Sequence, residues 1–300
     1  MMATRILIKR NIKLFFKDKG LFLVSLITPV ILLVLYIVFL GDIYRDSFLM
    51  HIPQGFSVDE KIVDGLVACQ LMSSILGVSC ITVAFCSNML MVQDRANGSI
   101  KDFTISPIKP STLAISYYVS NIVTTLMVCL SALAVCLVYV AFVGWYMTVL
   151  DVIMLTLDVI LLVLFGSALS SVVNFFLSSQ GQIAAVGTIV STCYGYISGA
   201  YMPLSQFSVG LQRIIMFMPG TYGTALLKNH AMRGAFYEME SNGLPTEIIN
   251  ASKDAMDINI YFFENKVEIW NMYLILAVTI IVLMAIYVLL SVLKSQKIKK

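Results

Sequence analysis

Apolar stretches long enough to cross a lipid bilayer recur six times along this chain, and few folds can accommodate them. The hydrocarbon core of a bilayer is about 30 Å thick, which an α-helix spans with about 20 residues. Only 12% of the residues are charged, against about 25% in soluble domains, so a soluble fold would leave much apolar surface uncovered. The sequence therefore predicts an all-α membrane protein with one transmembrane domain over residues 1–300 and six spans, at 21–40, 62–92, 113–143, 152–177, 183–201 and 269–293.

The N-terminal segment is basic. Arg5, Lys9, Lys13 and Lys17 recur every four residues, and apolar side chains lie mostly on the other side of the helix that this spacing favours. We expect residues 1–19 to form an amphipathic interfacial helix, held on the membrane by apolar contacts and anionic lipid. A plain topology signal is the alternative. A cleaved signal peptide is disfavoured, because the basic region and the apolar stretch after it are both too long.

The distribution of Lys and Arg predicts the orientation of the spans. Thirteen of these residues fall in the segments on one side of the membrane, and seven fall in the longer segments on the other side. Because Lys and Arg are enriched on the cytoplasmic side, both the N-terminus and the C-terminus are predicted to be cytoplasmic. The acidic residues show the opposite bias, with three on the cytoplasmic side and thirteen outside.

Motifs that would carry catalysis do not occur in the sequence. It has no HExxH, GxSxG or CxxC motif and no GxxxxGK[ST] phosphate loop, so the chain is not expected to hydrolyse ATP on its own. Its two histidines, His51 and His230, fall in predicted loops, which excludes a His-rich metal centre. The six cysteines lie inside apolar stretches, which argues against disulfides and a Cys-based metal site; they are Cys69, Cys80, Cys86, Cys129, Cys136 and Cys193.

Few polar side chains lie within the predicted spans. Asp158 is the one acidic residue well inside a span, and a carboxylate costs about 2.5–3.5 kcal/mol at the bilayer centre. It either contacts the substrate or a gate, or it pairs across helices or extends towards the outer surface. Gln70, Asn88, Asn121 and Asn174 are expected to join helices by hydrogen bonds. The predicted spans contain no chain of carboxylates or of Lys and Arg residues, so proton- or sodium-coupled transport is disfavoured.

The segment 93–110 connects the second and third spans and is predicted to lie in the cytoplasm. Gly98 permits a turn, and the pairs Ser106-Pro107 and Lys109-Pro110 end any helix. Between these points lie three apolar residues, Ile100, Phe103 and Ile105. Apolar residues on an exposed segment favour a docking surface for another protein.

Residues 202–232, after the fifth span, are too apolar for an ordinary loop and are interrupted by Pro203 and Pro219. Irregular backbone at membrane depth needs protein or water around it, so this segment fits a re-entrant helical hairpin. A surface loop with two chance prolines is the alternative. Residues 233–268 are predicted to form an extracellular loop, within which 245–257 can form a short amphipathic helix.

Two motifs, in this order along the chain, resemble the ABC-2 type permease family, the membrane subunits of type V ATP-binding-cassette exporters. The first motif, in the cytoplasmic segment, is Asp94-Arg95, Gly98-Ser99 and Ser106-Pro107-Ile108. The second motif, in the later segment, is Pro203, Leu211-Gln212 and Pro219-Gly220-Thr221-Tyr222. The resemblance extends over nearly the whole chain. Ala96 and Lys101 depart from it, because the family commonly has acidic residues at these positions.

The resemblance implies a dimer of two permease chains, identical or paired with a sister, above two ATPase subunits that bind ATP and Mg²⁺. This chain itself would hold no cofactor or metal and bind no nucleic acid. The residues implied to couple to the ATPase are Asp94, Arg95, Gly98, Ser99, Ile100, Phe103, Ser106 and Pro107. Those implied for the re-entrant hairpin are Pro203, Leu211, Pro219, Thr221 and Tyr222. Candidates for the translocation path, between spans two and five, are Gln70, Asn88, Gly187, Gly195, Gly199 and Asp158.

The function that this resemblance implies is ATP-driven export across the plasma membrane of a bacterium, with membrane lipid around the spans. A path without an intramembrane basic cluster favours amphiphilic cargo, such as a drug, a peptide or a lipid-linked molecule. A secondary transporter or channel is the alternative and would need coupling to an ion gradient. A membrane-embedded enzyme would lose activity when Asp158 or a loop histidine is replaced, and a scaffold would show no flux.

Overall fold

The computed structural model describes residues 2–35, 38–39, 41–50, 52, 58–99 and 108–298. Its helices are α1 (Met2–Lys17), α2 (Lys19–Leu35), α3 (Gly41–Met50), α4 (Glu60–Ser87), α5 (Met89–Ala96), α6 (Pro110–Val143), α7 (Val149–Phe175), α8 (Gln180–Ile197), α9 (Val209–Ile215), α10 (Pro219–Ser241), α11 (Thr246–Ala255) and α12 (Ile269–Ile298). A 3₁₀ helix, Leu204–Gln206, precedes α9, and strands β1 (Tyr261–Phe262) and β2 (Asn265–Lys266) pair antiparallel before α12. The regular secondary structure of the described residues is therefore helical apart from one short β-hairpin.

Four helical stretches among the described residues are long and apolar enough to cross a membrane: Glu60–Ala96, Pro110–Val143, Val149–Phe175 and Ile269–Lys294. They correspond to the predicted second, third, fourth and sixth spans. The predicted first and fifth spans correspond to α2 and α8, which have 17 and 18 residues. Helices of this length are about 26–27 Å long, slightly shorter than the bilayer core is thick.

Helix α4 lies at the centre of the bundle. It contacts α2, α3, α6, α7, α8 and α10, and nearly all of its side chains are buried. Its apolar residues occur on every side of the helix rather than along one stripe, which is the pattern of a fully enclosed helix. Helix α12 is also apolar, but most of its side chains are exposed or half-buried. Apolar side chains on such a surface need only lipid as a neighbour.

Helix α1 packs on the bundle with one face. Leu7, Asn11 and Phe15, spaced four residues apart, are buried, and the helix contacts α2 and α6. The basic residues of the predicted stripe are exposed on the other side: Arg5, Lys9, Lys13 and Lys17. The amphipathic N-terminal helix is thus present, and its position on the membrane surface stays a prediction.

Helix α10 is buried although its composition is mixed. It packs against α4, α7 and α12, and its polar residues Lys228, Asn229 and His230 have partners within the protein, which makes their burial possible. Helix α10 continues past residue 232, the predicted end of the hairpin, to Ser241. The helix ends only before Gly243, which has a φ of 88° that favours glycine.

The short connection between α6 and α7 packs directly on α10. A β-carbon added at Gly234 would lie 1.9 Å from the carbonyl oxygen of Tyr146. The two backbones can approach this closely only because residue 234 has no side chain. Gly234 therefore fixes how α10 packs beneath this connection.

Replacing Gly234 by alanine should destabilise the protein by about 1–3 kcal/mol, because the new methyl group forces α10 away from Tyr146. Thermal unfolding in detergent measures this change. Gly181→Ala is the matched control, since a β-carbon at Gly181 meets no atom within 4 Å. An unfolding temperature that falls equally in both variants, or in neither, would contradict the close contact.

Candidate functional site

The start of the predicted coupling segment is held by an ion pair to α1. Arg10 donates from Nη1 and Nη2 to the two carboxylate oxygens of Asp94, over 2.7 and 3.0 Å. The hydroxyl of Tyr117, on α6, donates to Asp94 Oδ2 over 2.6 Å. These hydrogen bonds with Asp94 raise the pKa of Arg10. Arg10, Asp94 and Tyr117, here called the Arg10 cluster, thus join α1, α5 and α6.

The neighbouring side chain, Arg95, joins α5 to the end of α7. Its Nη1 donates to the carbonyl oxygens of Asn174, Phe175 and Leu177, over 3.2, 2.6 and 3.4 Å. The guanidinium also lies 5.0 Å from the centroid of the Phe175 ring. Carbonyl groups at a helix C-terminus are unpaired and carry partial negative charge, so a cation stabilises them. Arg95 therefore fixes where α5 ends relative to α7.

The turn after α5 is described as far as residue 99. Gly98 has a φ of 79°, which favours glycine, and a β-carbon there would meet no atom within 4 Å. Ser99 is half-buried. The other predicted coupling residues lie outside the described residues; they are Ile100, Phe103, Ser106 and Pro107.

The candidates for the translocation path lie on several elements, from α4 and α7 to α8 and the turn after it. Gln70 and Asn88 are buried inside the bundle, and Asn88 donates to Ser170 and Ser171 on α7 over 3.3 and 3.2 Å. Asn121 donates to the same Ser170 over 3.1 Å. Asn88 and Asn121 therefore join helices, as their positions in the spans predict.

The three glycine candidates differ in their surroundings. Gly187 on α8 lies beside open space, whereas a β-carbon at Gly195 would overlap the ring of Tyr201. Gly199 has a φ of 66° and lies close to Asp257. Of the three, Gly187 has room for a side chain or a second chain to approach.

Asp158 is paired across helices. Its Oδ2 lies 2.6 Å from Nδ1 of His230, and the hydroxyl of Tyr273 on α12 donates to its Oδ1. Two turns earlier on α7, Asp151 Oδ1 lies 2.6 Å from Nε of Arg233. His230 was expected in a loop, and this expectation is wrong: it is buried on α10. The hydrogen bond to Asp158 offsets the cost of burying the polar imidazole ring within the bundle.

A further basic side chain of α10, Lys228, is completely buried. Its Nζ donates to the carbonyl oxygens of Gly199 and Met256, over 3.0 and 3.1 Å, and lies 3.3 Å from Asp257 Oδ2. Asp257 also accepts from the backbone N–H of Leu204 over 3.0 Å. Burial lowers the pKa of Lys228 and raises that of Asp257, and the attraction between the two charges opposes both shifts. The pair joins α10 to the ends of α8 and α11.

The motif residues of the predicted hairpin make contacts between α8, α9 and α10. Pro203 precedes the 3₁₀ helix, and Pro219 is the first residue of α10. The hydroxyl of Thr221 donates to the carbonyl of Ile197 over 3.3 Å, and that of Tyr222 to the carbonyl of Met216 over 2.6 Å. Leu211 is exposed on α9. The motif thus determines how α9 turns into α10.

The basic residues of α10 are the site feature that sequence reasoning missed. Lys228 and His230 are buried in a helix whose other buried residues are mostly small or apolar, and Arg233 is exposed on the same helix. Each of the three has an acidic partner. A signal was available, because charged residues inside an apolar segment usually pair with one another. Across the described residues, no three His, Cys, Asp or Glu side chains come together to hold a metal ion.

Comparison with known families decides the class of protein. The sequence matches the family described as ABC-2 type transporter over residues 2–229, about three quarters of the chain. The chain belongs to the ABC-2 type transporter family. It is therefore the permease component of an ABC transporter, a multi-pass membrane protein and a transport subunit that is not itself catalytic. No curated protein matches the chain.

In this ABC-2 permease, Lys228→Met should lower the free energy of unfolding by about 3–5 kcal/mol, because Asp257 is left buried without its cation. The double variant Lys228→Met/Asp257→Asn should be more stable than the single variant, since neither charge then remains. Thermal unfolding in detergent measures both.

The matched control is Glu60→Gln, which removes the exposed partner of Arg45 and should leave the unfolding temperature unchanged. A double variant that is no more stable than Lys228→Met would show that the pair is not the source of the loss.

Proposed function

We propose that this ABC-2 chain is the permease of an ATP-driven exporter and is coupled through residues 94–107 to a separate ATPase subunit. The observation that carries the proposal is the fixed start of this segment: Asp94 is bound to α1 and α6, and Arg95 to α7. Both side chains already have hydrogen-bond partners within the chain. A partner would therefore contact the residues after Ala96, where the backbone turns at Gly98 and the sequence continues to the apolar Ile100 and Phe103.

Movement of the ATPase would reach the spans through α5. The junction between α4 and α5 lies at Asn88, whose side chain is hydrogen-bonded to α7. The Arg10 cluster connects the other end of α5 to α1 and α6. A force on the segment after Ala96 would thus act on several spans together rather than on one loop. ATP and Mg²⁺ would be held by the partner, since this sequence has no phosphate loop.

The proposed topology has six spans, with α2 and α8 completing the four long ones, and residues 202–232 form the re-entrant part of the outer half. The exposed apolar side chains of α2 support its place in lipid; they are Leu23, Ile27, Val30, Ile31 and Val34. An even number of spans puts both termini on the same side. The excess of Lys and Arg at both ends makes that side the cytoplasm.

A second permease chain would pack beside α8. One face of this helix is exposed in the single chain although it carries small and polar residues, among them Thr188, Thr192 and Cys193. Such residues allow close helix approach and hydrogen bonds between helices, and they suit a protein neighbour better than lipid. The proposed path lies between α4 and α8 of the two chains, in a homodimer or a heterodimer.

The proposed cargo is amphiphilic. Asp158, the acidic residue deep within a span, is hydrogen-bonded to His230 and Tyr273 and is therefore not available for contact with cargo. Away from the ends of the four long spans, the described residues then offer apolar and neutral polar side chains for contact with cargo. A drug, a peptide or a lipid-linked molecule fits such a surface.

The proposal is tested by reconstituting the permease with an ATP-binding-cassette ATPase and following efflux of an amphiphilic fluorescent dye from proteoliposomes. Efflux should require ATP. Arg10→Gln and Asp94→Asn should each lower efflux roughly tenfold while the complex still hydrolyses ATP, because the broken pair frees α5 from α1. Lys19→Gln, an exposed cation at the start of α2, is the control and should keep the efflux of the original chain.

Three results would contradict the proposal. Efflux that proceeds without ATP and stops with an ionophore would indicate a secondary transporter. A chain that binds no ATPase and supports no flux would indicate a scaffold. Full ATP-driven efflux in both Arg10→Gln and Asp94→Asn would remove the Arg10 cluster from the coupling mechanism.

A further inference from the structure

A cavity of about 400 Å³ lies between α9, the C-terminal end of α11 and the β1–β2 hairpin. It is called the hairpin cavity here, after the β-hairpin. Its volume is in the range of sites that hold small molecules or a lipid headgroup. It is partly open to the surroundings and has both polar and apolar walls. The proposed export function makes no use of it.

Charged side chains of both signs line this hairpin cavity without an ion pair. They are Arg213 from α9, Asp254 from α11 and Glu264 from the hairpin turn, and none of them forms a salt bridge within the described residues. Asp254 Oδ1 accepts hydrogen bonds from Asn259 over 2.7 Å and from the hydroxyl of Tyr261 over 3.1 Å, which orient the carboxylate. The cavity therefore offers one cation and two anions to a ligand.

The position of the hairpin cavity relative to the membrane follows from the chain. Strand β2 ends at Lys266, and the span that begins at Ile269 starts within about 10 Å of chain length. Aromatic side chains surround this point: Trp270 is 76% exposed, and the rings of Phe217, Phe262 and Phe263 contact one another. Exposed aromatic rings at the end of a span lie at the level of lipid headgroups.

We propose that the hairpin cavity binds the headgroup of a zwitterionic lipid that carries a phosphate and a primary ammonium, as in phosphatidylethanolamine. The guanidinium of Arg213, which lies 5.6 Å from the centroid of the Phe263 ring, binds the phosphate. Asp254 and Glu264 accept hydrogen bonds from the ammonium. The acyl chains lie along the exposed rings of Phe217 and Phe262.

The charges of the cavity argue against other headgroups. A purely anionic headgroup would meet the guanidinium of Arg213 and the unpaired carboxylates of Asp254 and Glu264, so repulsion would exceed attraction. The third carboxylate of the lining, Asp257, is already paired with Lys228.

A quaternary ammonium has no N–H to donate to Asp254 and Glu264. Of the two aromatic rings that line the cavity, Phe263 is covered by Arg213, which leaves Tyr261 alone, and a single ring does not form an aromatic cage. The chemistry therefore selects an ammonium with free N–H groups.

The test is a titration of the purified full-length permease, in detergent, with dihexanoyl phosphatidylethanolamine, followed by calorimetry. Binding should saturate at one lipid per chain. Arg213→Gln and Glu264→Gln should each raise the dissociation constant at least about tenfold, because each removes a charge-assisted hydrogen bond. Glu247→Gln, an exposed acidic residue of α11 outside the cavity, should bind like the original chain. Equal unfolding temperatures without lipid show that both cavity variants fold.

Two further ligands separate the possible outcomes. Dihexanoyl phosphatidylglycerol should bind at least tenfold more weakly; equal binding of the two lipids, or unchanged binding in both cavity variants, would overturn the proposal in favour of lipid bound non-specifically around the spans. Glycerophosphoethanolamine carries the same headgroup without acyl chains and should bind more weakly than the lipid. If it binds as tightly, the ligand is a soluble zwitterion and the lipid assignment is wrong.

Discussion

The burial of α4 determines most of the remaining structure. An apolar helix with no polar side must be covered on every side, and in this chain α2, α3, α6, α7, α8 and α10 do so. The helices farther from this centre, α12 above all, have exposed apolar surfaces that are compatible with contact with lipid. Because α5 continues from α4 after the junction at Asn88, the enclosed helix also reaches the segment proposed to meet the ATPase. One buried helix thus connects the bundle with the segment proposed to bind the ATPase.

Paired charges make this arrangement specific. Asp151, Asp158 and Asp257 each meet a basic residue of α10, and Asp94 meets Arg10 at the other end of the bundle. A buried charge without a partner is unfavourable in both lipid and protein, so each pair permits one register of its helices and opposes others. The pairs on α10 hold the proposed hairpin, and the Arg10 cluster holds the proposed coupling segment. Apolar packing alone would allow these helices to slide.

Hydropathy predicted the long spans well, because the thickness of a bilayer imposes a local requirement on the sequence. The predicted spans 113–143 and 152–177 correspond to α6 and α7 within three residues at each end, and the amphipathic segment 245–257 contains α11. Helix α10 could not be predicted in the same way. Its polar residues resemble a loop until their partners are known, and Asp158 lies 72 residues away from His230 in sequence. The loop position of His230 was wrong for this reason.

Membership of the ABC-2 type transporter family and the pairing at Asp94 and Arg95 lead to the same expectation, that the turn after α5 meets an ATPase. Photo-cross-linking from a benzoyl-phenylalanine at position 99, in the permease co-assembled with its ATPase, measures this contact. We expect the photoreactive residue at position 99 to cross-link to the ATPase. The same residue at position 270, at the opposite end of the bundle, should give no such product. Cross-links from 270 but not from 99, or from neither, would contradict the account.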